Sequence, residues 1–464
     1  MASASARDAP RAAYSFASVF SVLAFEWATA SMVLFTIFAP RGAVAWLGAW
    51  LVGTLILIAF ERRGAGVPRL CTAASSLSDH IRHFARGAAG RVWCALAALI
   101  VFGALSTLWS PAPSLTAAKM VNVAGAAVGV AAAALVLTMT SREARWFACR
   151  GVVHAVVLGF AYIAIEHATG GAIKAAFTNT TGLIDANVAY NREVDGVVTG
   201  AHGVFLNRHT TAAVLLLPAA LAAARVWRPG AQLMPAALLL AAAAVALASY
   251  SESALLALGL GALMMAVAHL SVSSARRLWL AAWLATLALV PIVAAHLPGR
   301  DALPANWPRT VTERIAIWRT TSVRIPDAPL LGHGVEAARS LNRPQGAAGP
   351  STGLGRHAHN GYLQVWFDLG GVGALLLAGL GAAGIAALSR VPPARQVFVL
   401  GSLATMAGVF ATAYGLWQLW LLAVYGLGLF LHSLASGVGS PQTHERGETV
   451  QTATAAHDAT EARS

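Results

Sequence analysis

Along this chain apolar residues come in runs of about twenty, separated by short stretches rich in arginine. A run of that length crosses the hydrocarbon core of a bilayer as an α-helix. Within hydrocarbon every backbone N–H and C=O must pair internally, which leaves only helices or a closed barrel. A barrel would show segments of roughly ten residues with alternating polarity, and the sequence has none. The runs predict helices at 16–39, 43–60, 92–109, 119–139, 149–168, 208–226, 231–249, 253–270, 278–296, 361–388, 396–415 and 417–435. The expected fold class is all-α: a polytopic membrane protein of about 12 transmembrane helices, with a large and partly helical outer loop.

Composition agrees. Of 464 residues, 57% are hydrophobic and 11% charged, whereas about a quarter of a soluble domain is charged. The net charge of +13 would suit a nucleic-acid binder, but the basic residues occupy short loops on one side of the helices. That side holds Arg62, Arg63, Arg69, Arg82, Arg86 and Arg91, then Arg142, Arg145 and Arg150. Further on it holds Arg225, Arg228, Arg276, Arg277, Arg390 and Arg395, while the opposite short loops offer only Arg41 and Lys119. The positive-inside rule then predicts cytoplasmic termini and an outer position for the long loops 169–207 and 297–360.

The expected organisation follows: a cytoplasmic N-terminus over 1–15, nine helices over 16–296, a large periplasmic loop over 297–360, three helices over 361–436, and a polar, disordered cytoplasmic tail over 437–464. The first apolar run carries Glu26 and is too long for a cleaved signal, so it reads as a retained helix. Cys71, Cys94 and Cys149 lie outside the outer loops, and no disulfide framework is implied. No internal repeat or broken helix stands out, which counts against a transporter.

The loop 297–360 is the longest polar segment between helices and the most informative. It carries eight arginines against Asp301, Glu313, Asp327 and Glu336. Such a surface attracts a polyanion, and guanidinium groups grip phosphate bidentately. Within it, Thr310 and Glu313 have the spacing of a capping box, predicting that a helix begins there. Ile315, Trp318 and Ile325 give that helix an apolar stripe, and Pro326, Pro329 and the Gly332-His333-Gly334 turn end it. Arg314, Trp318 and Arg319 occupy neighbouring positions; a helix lying on the membrane with its arginines on lipid phosphate is the plain alternative. Paired carboxylates are limited to Glu193 and Asp195, so no metal site is expected, and arginine is the available counter-charge for a diphosphate.

The chain then enters the membrane at HAHNGYLQVWFDLGGVG. His359 and Asn360 stand where the helix begins, and a histidine there can titrate near neutral pH; capping of the helix by an interfacial polar residue is the alternative. His357 competes for the same role. Asp368 lies two turns below, and Gly370-Gly371 suggests close helix packing. At the mouth of the sixth helix stand Asn207, Arg208 and His209. Glu26, Glu166 and Glu252 fall in or at the ends of apolar helices, where carboxylates either function or bond helix to helix.

Several segments resemble the O-antigen ligase and polymerase superfamily of bacterial membrane glycosyltransferases. They are LSTLWSPAPSL, GVFLNRHTTAAVLLLP, SYSESALLALGLG, ERIAIWRTTSVRIPDAPLLGHG, HAHNGYLQVWFDLGGVG and YGLWQLW, spanning roughly residues 90–430. The resemblance implies a metal-independent glycosyltransferase of the C type in the bacterial inner membrane, without cofactor. Its donor would be an undecaprenyl diphosphate-linked glycan used at the periplasmic face. A ligase passes the glycan to lipid A–core, a polymerase to another carrier-linked repeat, and a related oligosaccharyltransferase to protein. By the same resemblance His359 is the expected base and Arg314 the expected diphosphate ligand. A second basic residue near the sixth helix is expected; relatives often read N-P-N where this chain has Asn207-Arg208-His209. Arg208 is the choice there, with Arg192 competing and Arg319 as a further diphosphate ligand; Asn360, His357 and Asn207 are supporting. A transporter or flippase is the alternative of another class.

Overall fold

The computed structural model describes residues 16–63, 70, 88–181, 191–231, 233–249, 251–342 and 353–436. The expectations for 1–15, for the 437–464 tail and for Cys71 lie outside the described residues. The helices are α1 (Phe16–Phe38), α2 (Ala43–Arg63), α3 (Ala88–Leu105), α4 (Pro113–Thr138), α5 (Arg142–Thr169), α6 (Ala172–Thr181), α7 (Leu206–Trp227) and α8 (Leu233–Ala248). They continue with α9 (Glu252–Leu270), α10 (Val272–Ala295), α11 (Arg309–Ser322), α12 (Ala337–Leu341), α13 (Gly361–Leu388), α14 (Pro393–Thr412) and α15 (Leu419–Leu434). Ten of them are long and apolar enough to cross a membrane. The apolar α8 and α15 have 16 residues each; at 1.5 Å per residue that is about 24 Å, short of a full hydrocarbon core. Every predicted membrane helix has its counterpart, and the protein is an all-α, multi-pass membrane protein.

The interior is built around α7, whose residues Thr210 to Ala224 are all buried. It packs against α5, α14 and α15. Two of the three carboxylates predicted in or at the ends of apolar helices, Glu26 and Glu166, hold elements together. Arg150 donates from Nε to Glu26 Oε1 at 2.6 Å, linking α5 to α1. Glu166 accepts the backbone N–H groups of Ile173 and Lys174 at 3.1 and 2.8 Å, fixing the start of α6. Glu252 begins α9 and is exposed.

Loop 169–207 contains α6 and a two-stranded antiparallel hairpin, β1 (Asn191–Val194) and β2 (Val197–Ala201). Asp195 and Gly196 turn it with φ of 50° and 78°, as an Asp-Gly pair favours in a two-residue hairpin.

Helix α13 is not continuous. Gly370 adopts φ 62°, ψ −160°, and splits it. The chain between α11 and α12 docks on the break. Gly371 N–H donates to Pro329 O at 2.8 Å and Val372 N–H to Leu330 O at 3.1 Å. In return His333 and Gly334 donate to Phe367 O and Asp368 O at 2.9 and 2.8 Å. These bonds satisfy backbone groups that an interrupted membrane helix would leave open. A methyl group on Gly370 would fall 2.5 Å from the Leu330 carbonyl, besides being strained at positive φ. The expectation of unbroken helices is corrected: the Gly-Gly pair makes a break that admits a loop. The capping box is also corrected. Helix α11 does start at Arg309, but its N-cap position is Pro308, which has no polar side chain to cap with, and Glu313 accepts from Arg309 Nε at 2.6 Å.

Candidate functional site

His359 is placed by two turns. Its own φ is 52°, a left-handed conformation uncommon for a residue with a side chain. Asn360 follows as the cap of α13, its Oδ1 accepting from Leu363 N–H at 3.0 Å. The second turn lies between α14 and α15, where Ala413 O is 2.6 Å from His359 Nδ1. A carbonyl only accepts, so Nδ1 carries the proton and Nε2 keeps its lone pair. The same inter-helix turn is tied to α13 below His359. Leu416 N–H donates to Gln364 Oε1 at 2.8 Å, while Gln364 Nε2 and Trp417 Nε1 donate to Asp368 Oδ2 at 3.1 and 2.6 Å. Asp368 thus fastens the turn that orients the imidazole, and its main chain holds the docked loop.

Burial lowers the His359 pKa from its ordinary value; the hydrogen bond to Ala413 opposes this, and the Arg314 charge adds to the lowering. Arg314 is half-buried on α11. Helix α11 rests on α10 and α13, with Trp318 and Ile325 packed among Ala294, Leu363 and Phe367. The apolar stripe expected for it therefore faces the bundle.

His357 stacks beside His359 with ring centroids 4.1 Å apart. A methyl on Gly415 would come within 2.9 Å of its ring, and its Nε2 is buried without a partner among the described residues. Burial, then His359, Arg339, Arg356 and Lys119, push its pKa down to about 3. It is neutral at ordinary pH, and its basicity is far below what a proton acceptor working near neutrality needs.

A methyl on Gly299 would fall 2.7 Å from Arg319 Nη1, and one on Gly170 would lie 3.7 Å from Arg192 Nη1. These two guanidiniums accompany the start of the long loop and the α5–α6 corner. Arg208 and Asn207 are half-buried at the start of α7, with Arg208 Nε and Asn207 Oδ1 making no hydrogen bond among the described residues. Among the expected arginines, only Arg314 perturbs His359.

Sequence reasoning missed a cationic cluster behind His357. Glu336, 4% exposed, forms ion pairs with Arg339 and with Lys119, whose Nζ is 3.5 Å away. Glu336 has φ 63° and follows the loop docked on the α13 break. Lys119 and Glu336 are 217 positions apart, and no local pattern could join them.

The family comparison covers this region. Residues 236–378 match the family model Wzy_C, described as O-antigen ligase. That match supports the O-antigen ligase superfamily. The matched span runs from α8 into α13 and includes Arg314, Arg319, His357, His359 and Asn360. No curated protein matches the chain.

Proposed function

We propose that the protein transfers a glycan from undecaprenyl diphosphate to a sugar hydroxyl of lipid A–core, at the periplasmic face of the bacterial inner membrane. Both termini are then cytoplasmic, in keeping with the loop charges. The observation that carries the reading is the setting of His359 at the mouth of a membrane helix. It stands at φ 52° in the field of Arg314, with Nδ1 bonded to Ala413 O so that Nε2 is the nitrogen that can take a proton. The acceptor hydroxyl gives its proton to Nε2 as its oxygen attacks the anomeric carbon. The bond from that carbon to the diphosphate oxygen breaks, and undecaprenyl diphosphate departs with the electron pair. Arg314 stabilises the departing charge, as fixed donors do where water is thinned out. Arg208 is the candidate for a second contact, its Nε buried and unbonded among the described residues, and Arg319 and Arg192 lend charge to the approach. In this reading the diphosphate is neutralised by guanidinium rather than by a divalent ion.

The test is transfer by purified protein from a carrier-linked glycan, offering lipid A–core and a second carrier-linked repeat side by side. Product on lipid A–core supports the ligase reading. Product on the carrier alone would replace it with a polymerase, and no transfer with intact donor binding would overturn it.

A further inference from the structure

A cleft of about 670 Å³ opens between the turn at 111–115 and Arg339, Ser340 and Arg356; the charges of Arg339 and Arg356 act on His357, whereas that of Arg314 acts on His359. Its wall contains the first residues of α4, which starts at Pro113 without a side-chain cap, so backbone N–H groups there lack helical partners. Arg339 is ion-paired with Glu336 and lines the cleft as well. Arg356 is exposed and makes no ion pair among the described residues. The charged residues that line the cleft are Arg339 and Arg356, with Lys119 sharing the carboxylate of Glu336 next to Arg339, so the cleft wall carries positive charge. Arginine forks, a hydroxyl and an open helix start converging on one cavity form a receptor for an oxyanion.

We infer that this cleft binds an acidic group, a phosphate ester or a carboxylate, on the acceptor glycan. The inference rests on the transfer reaction proposed above and names the acceptor's chemistry. The cleft's position assigns the group to the acceptor. Arg356 precedes His359 by three residues, and the imidazoles of His357 and His359 are stacked. A sugar anchored at Arg356 is therefore held beside the neighbour of His359, by a cation other than Arg314, to which the proposed function gives the donor diphosphate. The two anions are then held near one base without sharing a cation.

The experiment measures KM for donor and acceptor separately, in wild type, Arg356→Gln and Arg356→Lys. Three forms of one acceptor are used: native, phosphatase-treated and carboxyl-reduced. For wild type, one of the two treatments should raise acceptor KM, and which one identifies the anion. Loss of a charge-assisted contact costs on the order of tenfold, so Arg356→Gln should raise native-acceptor KM by about that factor and erase the effect of the treatment. Arg356→Lys should recover part of it, and donor KM should stay at the wild-type value in all three proteins. A raised donor KM, or an Arg356→Gln enzyme that still distinguishes treated from native acceptor, would overturn the inference. A wild type indifferent to both treatments would overturn it too, while leaving the transfer reaction standing. A wild type that transfers nothing to any acceptor would remove the proposed function and this inference together.

Discussion

Two helix mouths of this protein present a histidine in nearly the same way, and the proposed function gives them different work. At the mouth of α7, His209 Nδ1 is 2.9 Å from the carbonyl of Ile37. At the mouth of α13, His359 Nδ1 is 2.6 Å from the carbonyl of Ala413. In each case the carbonyl fixes the tautomer. The ring of His209 lies against Tyr162 and Phe205, at 5.6 and 5.4 Å between centroids, in ordinary helical backbone within α7. His359 stands at φ 52° beside the half-buried Arg314. A tautomer lock therefore does not mark a reactive histidine. In the proposed function, strained backbone and a neighbouring fixed charge together set His359 apart.

The largest expected effect separates the two histidines outright. His359→Ala should lower transfer by about 10²–10⁴, the usual contribution of a general base, with the protein still accumulating in the membrane. His209→Ala should leave the rate per folded molecule near wild type and reduce only the folded amount. Lipopolysaccharide ladders in a complemented knockout, with protein quantified in parallel, read both; near-normal ladders for His359→Ala would erase the distinction.

Arg314 gives the next effect. Lysine keeps its charge but loses the fork that grips a diphosphate. Arg314→Lys should reduce initial rates at least about tenfold. Arg324→Lys, closer to the end of the same polar segment and without influence on His359, should not. Equal, near-wild-type rates would make α11 a surface helix whose arginines meet lipid headgroups.

A smaller loss is expected for His357→Ala, because that ring is neutral and its Nε2 is enclosed. Its removal loosens the packing beside His359 without removing the proton acceptor. A His357→Ala defect larger than that of His359→Ala would reverse the assignment. No change at all is expected when transfer is assayed in excess EDTA; activity lost and then restored by magnesium or manganese would refute neutralisation by arginine.

Much of this was legible in advance where the physics is local or set by the membrane. Twenty-residue apolar runs located the membrane helices, and the long loops and the mouth of α13 stood out by polarity. Arg314 and His359 were both singled out, and the structure brings them within electrostatic reach. The break at Gly370 was not legible, since Gly370-Gly371 in an apolar run is equally compatible with close helix packing. What decides is the pairing of Pro329 and Leu330 with Gly371 and Val372, a contact between segments 42 positions apart. Glu313 fitted a cap by spacing, yet the N-cap position falls on Pro308 and Glu313 pairs with Arg309. The hairpin at Asp195-Gly196 did carry a local signal, the Asp-Gly pair between valines. The cluster of Lys119, Glu336, Arg339 and Arg356 carried none, because tertiary folding alone assembles it.

The pH profile of kcat/KM, measured for wild type and Arg314→Gln with donor well below saturation, tests most directly whether His359 is a base in the field of Arg314. Burial and the Arg314 charge both lower the His359 pKa, so the reactive neutral imidazole persists to lower pH. The wild-type acid limb should fall below the ordinary imidazole value of about 6.5. Removing the Arg314 charge removes one of the lowering causes, so the limb should move to higher pH as the rate drops. An acid limb that stays in place or moves to lower pH in Arg314→Gln would contradict the account.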